Sequence, residues 1–399
     1  MKKICFVTDS IFSIGGVQRV TAVIAGALSK DYDVTIITFD DPDKKDLSLY
    51  NLKDYPIKYV FTHYPQVGKW KELLFKTYSY LYKNLLFRSA WTSDLYAHSS
   101  FPRERRDALV SVLKEGNYDT IIAVHSFLAI RLATVKKDLG DVKTIAWIHN
   151  SFNALLREGS PYLGTELKYH YGRQLQKLDE TVVLYLQDAE LYSQAYGFSP
   201  FVIPNPLTVK PGQTSDFKHK RFLAIGRLTP KHKGFDLLIK AFDKFAQTNQ
   251  DWYLDIVGEG PERDKLQNMI DNRYLGRRIK IHPFTNDIQM YYSQASVYVL
   301  SSRWEGMPLV LVEAMAHGLP IITSDLPICK EVLGDFGMYF KNGDIDDLAK
   351  RLDDATYMDW QTKSEEALML AQRFDVNVIA EQWKTLIESD GQRKRKGKV

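Results

Sequence analysis

Two glutamates with seven residues between them, Glu305 and Glu313, bracket the stretch Gly306-Met307-Pro308-Leu309, which lies between apolar runs ending at Leu300 and starting at Ile321. Pro308 suits the first turn of a helix and Gly318 the residue past its end, which puts Glu305 in a loop and Glu313 early in the helix. The helix N-terminus around Met307, Pro308 and Leu309 then offers a partial positive charge and unpaired N–H groups from the residues other than proline, the makings of an anion site. A carboxylate only accepts hydrogen bonds. Two of them beside a phosphate repel it unless each accepts from neutral hydroxyls. A nucleoside-diphosphate sugar carries both kinds of group. The same residues also fit a plain helix cap followed by a solvated glutamate.

A second cluster, Gly226-Arg227-Leu228-Thr229-Pro230-Lys231-His232-Lys233-Gly234, follows the apolar run Phe222-Leu223-Ala224-Ile225. This is the first loop of its domain, where phosphates bind in doubly wound folds. Arg227 and Lys233 are placed to face a diphosphate leaving group. Two unit charges about 4 Å apart interact by roughly 4 kcal/mol at an effective dielectric near 20. An exposed surface pair gives under about 1 kcal/mol. The alternative is a solvated basic loop, the commonest setting for lysine.

The elements that must position these residues read as two βα series. Runs at 4–7, 34–37, 57–60, 120–124, 144–148 and 181–184 alternate with helical patterns, the first from about Val17 to Leu28. The pattern pauses at Val202-Ile203-Pro204-Asn205-Pro206 and restarts with runs at 222–225, 253–257, 279–281, 297–300 and 321–323. β-branched runs bounded by turns predict buried parallel strands, and two series predict an α/β chain of two doubly wound domains. The expected divisions are 1–205 for acceptor binding, 206–372 for donor binding, a helix at 373–390 returning to the first domain, and a basic tail at 391–399. A ligand is expected in a cleft between the domains, outside the carboxyl ends of the strands.

Taken together, the 226–234 and 305–313 segments resemble the retaining glycosyltransferases of family 4, of GT-B fold with two Rossmann-like domains. Val257-Gly258-Glu259-Gly260-Pro261, the Gly15-Gly16 turn, His149 and Val202-Ile203-Pro204-Asn205 fit the same pattern; residues 41–118 do not. The resemblance implies that Glu313 holds ribose hydroxyls, Glu305 contacts donor-sugar hydroxyls, and Arg227 and Lys233 neutralise the departing diphosphate. Gly15, Gly16, Gly226 and Gly258 would line the donor's phosphates and nucleotide, Gly16 because a Cβ would block the approach. His149 would bond the sugar near the reacting carbon, although a lone strand-end histidine also serves as a structural hydrogen-bonder. The implied reaction moves a glycosyl group from a nucleotide-diphosphate sugar to a hydroxyl with retention, the donor phosphate taking the acceptor's proton. A UDP-sugar is the preferred donor and a GDP-sugar its rival. No cofactor and no metal are expected. A GT-B phosphorylase, a sugar-nucleotide epimerase and a non-catalytic nucleotide-sugar binder share the same groups. A dinucleotide dehydrogenase does not, since Ser13-Ile14-Gly15-Gly16-Val17-Gln18 lacks the required G-x-G-x-x-G.

A net charge of +4 over 399 residues is too mild to point to nucleic acid. Two cysteines form no disulfide framework, and Cys5 falls in a strand, as in a reduced compartment. The Met1-Lys2-Lys3 start and the absence of an apolar run near 18 residues predict a cytoplasmic protein, neither exported nor integral. One stretch departs from the ordinary: Lys69 to Arg106 mixes aromatics with Lys69, Lys76, Lys83, Arg103, Arg105 and Arg106. Lys69, Lys76 and Lys83, seven apart, make one helical stripe, with Leu74, Tyr78, Leu81 and Leu85 opposite. With the basic tail Arg393-Lys394-Arg395-Lys396, this predicts peripheral contact with anionic lipid at the inner face of the plasma membrane. It also points to a glycan or lipid-linked acceptor in cell-envelope polysaccharide or glycolipid synthesis. The competing expectation is a helix that buries its aromatic side and a solvated tail.

Overall fold

The computed structural model describes residues 1–285 and 287–389. The chain forms two compact units: Met1–Pro206 with the segment that begins at Val376, and Leu207–Asp375.

In the first unit seven parallel strands stand in the order β3-β2-β1-β4-β5-β6-β7. They are β1 (Lys3–Thr8), β2 (Asp33–Thr38), β3 (Lys58–Phe61), β4 (Thr120–Val124), β5 (Lys143–Trp147), β6 (Glu180–Val183) and β7 (Phe201–Val202). Ile4, Cys5, Phe6, Ile36, Ile122 and Ile145 are all buried, as a sheet covered on both faces requires. Helix α1 (Gly16–Leu28) follows β1, and α2 (Lys69–Asn84), α3 (Ala90–Ser100) and α4 (Arg103–Glu115) fill the long passage from β3 to β4. Strand order reverses between β1 and β4, so their carboxyl ends flank the position where such sheets bind ligands. The helix Val376–Glu388 packs on α1 and sets Trp383 against Trp147, ring centroids 4.8 Å apart.

The second unit repeats the plan with β8 (Arg221–Ile225), β9 (Tyr253–Val257), β10 (Ile279–His282), β11 (Val297–Leu300), β12 (Ile321–Ser324) and β13 (Met338–Phe340), in the order β10-β9-β8-β11-β12-β13. Its reversal lies between β8 and β11. The loops leaving those two strands carry the 226–234 and 301–308 residues. The amphipathic helix Phe235–Phe245 buries Leu238, Ile239 and Phe242 against this sheet. Two strands, β7 and β13, have no counterpart among the runs read from the sequence. Both are edge strands of two or three residues, too short to show a period.

Candidate functional site

The loop after β8 is held against the loop after β9. Leu228 N donates to Glu259 O at 2.8 Å, and Glu262 N to Leu228 O at 3.0 Å. A Cβ on Gly258 would stand 2.0 Å from the Gly226 carbonyl oxygen, so glycine is dictated by the approach of the two backbones. At the far end of the loop Gly234 has φ +65, and its Cβ would meet Ser301 O at 2.0 Å. The stem of Lys233 lies across Gly226, its Cε 3.2 Å from where a Cβ there would be.

That stem delivers its ammonium to Glu305. Lys233 Nζ lies 2.6 Å from Glu305 Oε1, and Ser302 Oγ donates to the same oxygen at 2.6 Å. His232 Nε2 stands 3.8 Å from Oε2, its ring stacked on Trp304 at 5.0 Å. Burial alone would push the Glu305 carboxyl up, but the charges and hydrogen bonds of Lys233, His232 and Ser302 hold it below the ordinary carboxylate range. Burial likewise pushes His232 down, against the pull of Glu305. The two groups that the sequence gives separate duties are therefore partners. Arg227 is exposed and has no ion pair among the described residues, which makes it the open cation of the loop.

Glu313 sits on the second turn of the helix Leu309–Ala316, whose cap position is Pro308 rather than an interior residue. Leu309 and Val310, as the first helical residues, have N–H groups without an intrahelical acceptor. Met307 is buried beside them. Glu313 itself is 2% exposed, and Tyr292 OH donates to its Oε2 at 2.9 Å. Tyr292 stacks on His317 with centroids 4.7 Å apart. His317 Nε2 accepts from Gly212 N at 3.2 Å, so Nδ1 carries the proton and donates to Glu313 O at 2.7 Å. Burial pushes this imidazole down, in keeping with a neutral ring. Tyr292 and His317 escaped the sequence reading. His317 had a signal, standing one helical turn after Glu313; Tyr292 had none.

In the first unit the Gly15-Gly16 turn opens α1 and is clasped by Tyr50, whose hydroxyl accepts from Gly15 N and donates to Ser13 O, both at 2.8 Å. Asp40 ties the start of the loop, accepting from Ile11 N at 2.7 Å and Phe12 N at 3.1 Å. His149 lies two residues beyond β5 and is 6% exposed, its ring 4.4 Å from Trp147. Burial takes its imidazole down to about 3, and its Nε2 has no hydrogen-bond partner among the described residues. A second strand-end histidine, His125, passed unnoticed in the sequence although its setting is the same. It follows β4 with φ +63, a strained backbone for a non-glycine residue, and its Nε2 lies 2.9 Å from Asp9 Oδ2. Arg131 stands 3.5 Å from the other oxygen of Asp9. Burial opposes ionisation of Asp9, and His125 and Arg131 outweigh it and hold the carboxyl low.

The six basic residues read as a lipid-facing set divide. Lys69 and Lys76 are exposed and Lys83 half-buried on α2, none with an acidic partner among the described residues. The α4 arginines are engaged by protein: Arg103 with Asp107 at 3.4 Å, Arg105 with Glu72 at 3.7 Å, and Arg106 with Phe101 O at 2.9 Å. Opposite the lysine stripe, Leu74 and Leu85 face water while Tyr78 and Leu81 are half-buried, and of the aromatic residues expected inside, the core takes Tyr82. No helix among the described residues is long and apolar enough to cross a membrane. The basic tail at 391–399 lies outside them.

Residues 209–369, which contain Arg227, Lys233, Glu305 and Glu313, match the family described as Glycosyl transferases group 1. An uncharacterized glycosyltransferase of Haemophilus influenzae is 28% identical over 97% of this chain and 100% of its own length. The amylovoran biosynthesis glycosyltransferase AmsD of Erwinia amylovora is 26% identical over 84% of this chain and 85% of its own. Among solved structures, HepE of Anabaena in complex with UDP superposes with a TM-score of 0.72 at 19% identity, covering 98% of this chain and 100% of that one. That likeness bears on fold alone. The chain therefore has the two-domain architecture of GT-B glycosyltransferases, and the match of its second unit to group 1 glycosyl transferases supports glycosyltransferase activity.

Proposed function

We propose that the protein is a retaining glycosyltransferase that takes a sugar from a nucleotide-diphosphate donor, UDP-linked by preference, and passes it to a hydroxyl of a glycan or lipid-linked acceptor in the cytoplasm. The observation that carries this reading is the grouping of the open cation Arg227, the Lys233–Glu305 pair and the helix tip at Leu309 on loops beside the β8/β11 reversal. The solved complex of HepE with UDP and the role of AmsD in amylovoran synthesis support the donor class and the kind of product.

In this reading Arg227, Lys233 and the N–H groups of Leu309 and Val310 take up the charge that develops on the leaving diphosphate. That charge is carried by side chains and backbone, and no metal is required. Glu313 accepts from the ribose hydroxyls and Glu305 from hydroxyls of the sugar. The bond from the anomeric carbon to the phosphate oxygen breaks, the acceptor oxygen bonds to that carbon on the same face, and the acceptor's proton passes to the phosphate. Positioning and electrostatics supply the acceleration, with no covalent intermediate on the protein. His149 and His125 contribute polar edges at the carboxyl ends of β5 and β4.

The test is a thermal-shift panel of nucleoside diphosphates, followed by turnover with the sugar nucleotide that binds best. UDP should stabilise most, and free UDP should appear with an acceptor and with EDTA present. The anomeric proton coupling of the product should match that of the donor. Inversion, or stabilisation by no nucleoside diphosphate, would overturn the reading.

A further inference from the structure

We propose that α2 and the turn leading into α3 form a surface that rests on an anionic lipid bilayer. The proposal goes beyond the transferase reading and uses none of its donor-site residues. At 100° per residue, Lys76, Lys69, Leu73, Trp70 and Leu74 fall within an arc of about 160° on α2. Tyr82 lies on the other side, buried and stacked on Tyr96 at 4.6 Å. The outward arc is thus fixed by the packing of its opposite face. Trp70 is 82% exposed and Leu74 68%, and the surface continues through Phe87 at 86% and Trp91 at 72%. Large apolar side chains gathered in water mark a surface that another phase or molecule covers.

Charge selects the occupant. The acidic groups on α2 and α3 are already paired, Glu72 with Arg105 and Asp94 with Arg173 and Lys177, and Glu104 at the start of α4 pairs with Lys71. Lys69, Lys76 and Lys83 have no acidic partner among the described residues, so the patch presents aromatic rings flanked by unneutralised ammonium groups. A second copy docked face to face would set lysines against lysines. A bilayer carrying anionic headgroups accepts both components, the rings at headgroup depth and the ammonium groups on phosphates.

The experiment is co-sedimentation of the full chain with phosphatidylcholine vesicles, with and without phosphatidylglycerol at about one lipid in three. The protein should sediment with the anionic vesicles at low salt, shift its tryptophan emission to the blue, and release as salt rises. A Trp70→Ser, Phe87→Ser, Trp91→Ser variant should lose the emission shift. Neutralising Lys69, Lys76 and Lys83 should weaken partitioning by about fivefold per residue. Trp70, Phe87, Trp91, Lys69 and Lys76 are exposed and Lys83 is half-buried, and an unchanged thermal midpoint in each variant confirms the fold. Absence from anionic vesicles at low salt, equal binding to neutral vesicles, or wild-type partitioning by both variants would each overturn the proposal. So would self-association that the same substitutions abolish. The nucleotide-dependent thermal shift is a separate readout, so failure of the donor assignment and failure of this surface are told apart.

Discussion

The ammonium of Lys233 and the carboxylate of Glu305 lie 2.6 Å apart, with side chains only 16% and 7% exposed. A cation proposed for phosphate and an anion proposed for sugar hydroxyls neutralise one another until a ligand offers each a partner of its own.

This pairing makes the two residues interdependent. Lys233→Ala leaves Glu305 as a nearly buried charge, and breaking a buried pair on one side costs about 3–5 kcal/mol. It should lower the thermal midpoint, and adding Glu305→Gln should restore much of the loss. The coupling from the double-mutant cycle is expected at about 1–3 kcal/mol. Turnover separates from stability: kcat should fall by about 100-fold or more in Lys233→Ala and stay low in the double variant, since the leaving-group cation is still missing. Full kcat in the rescued double variant would show that Lys233 serves the fold alone.

Tyr292 is the next test, because its hydroxyl donates to the Glu313 carboxylate. Removing its hydroxyl deletes the hydrogen bond to Glu313, worth about 0.5–1.5 kcal/mol. Tyr292→Phe should therefore raise the donor KM by about 2- to 10-fold while leaving kcat nearly unchanged. Glu313→Ala should raise KM further in the same direction. Equal kcat losses in both variants, with KM untouched, would contradict a ground-state grip on the donor by Glu313.

Two buried histidines make the first unit sensitive to acid. Burial takes His149 and His170 down to about 3. A histidine lowered in the folded state is neutral there while its unfolded counterpart, near 6.5, picks up a proton. Between those values the unfolded state binds more protons, so stability rises with pH and falls as pH drops from about 6.5 toward 3. Each group contributes about 1.4 kcal/mol per pH unit inside that window. His149→Phe, which keeps a ring on Trp147, should shallow the slope of unfolding free energy against pH, measured by urea titration. The same variant tests the sugar contact: unaltered turnover at pH 7 would remove His149 from the reaction.

The chain's reading from sequence succeeds where burial imposes a period and falters where packing decides. Strands such as Ile4–Val7 and Val297–Leu300 are apolar throughout because both faces of each sheet are covered, and that is visible in one dimension. The spacing of Glu305, Pro308 and Glu313 was legible because a loop-to-helix junction fixes it locally. The outward face of α2 was not. Its aromatics and leucines occupy both sides of the helix, and only the place taken by Tyr82 tells which side is inside. Tyr50 reaches the Gly15 turn from 35 positions away, and the Asp9–His125 pair joins the ends of two strands. Such contacts exist only once the sheet order is known.

Gly258 offers the sharpest test of how the donor loops are held. It lies away from Lys233, Glu305 and Glu313 in sequence, yet its Cα faces the Gly226 carbonyl so closely that a methyl group would fall 2.0 Å from the oxygen. Gly258→Ala must push the Gly226–Gly234 loop off the loop after β9, displacing Arg227 and Lys233 without altering either. Overpacking of this kind costs about 1–3 kcal/mol, well within what a domain-sized core tolerates, so the protein should still fold. Nucleotide affinity should fall by about tenfold or more, as expected when cations and helix tip no longer converge. Calorimetric titration with UDP is the measurement. Wild-type affinity in Gly258→Ala would mean that the two loops do not act together on the diphosphate.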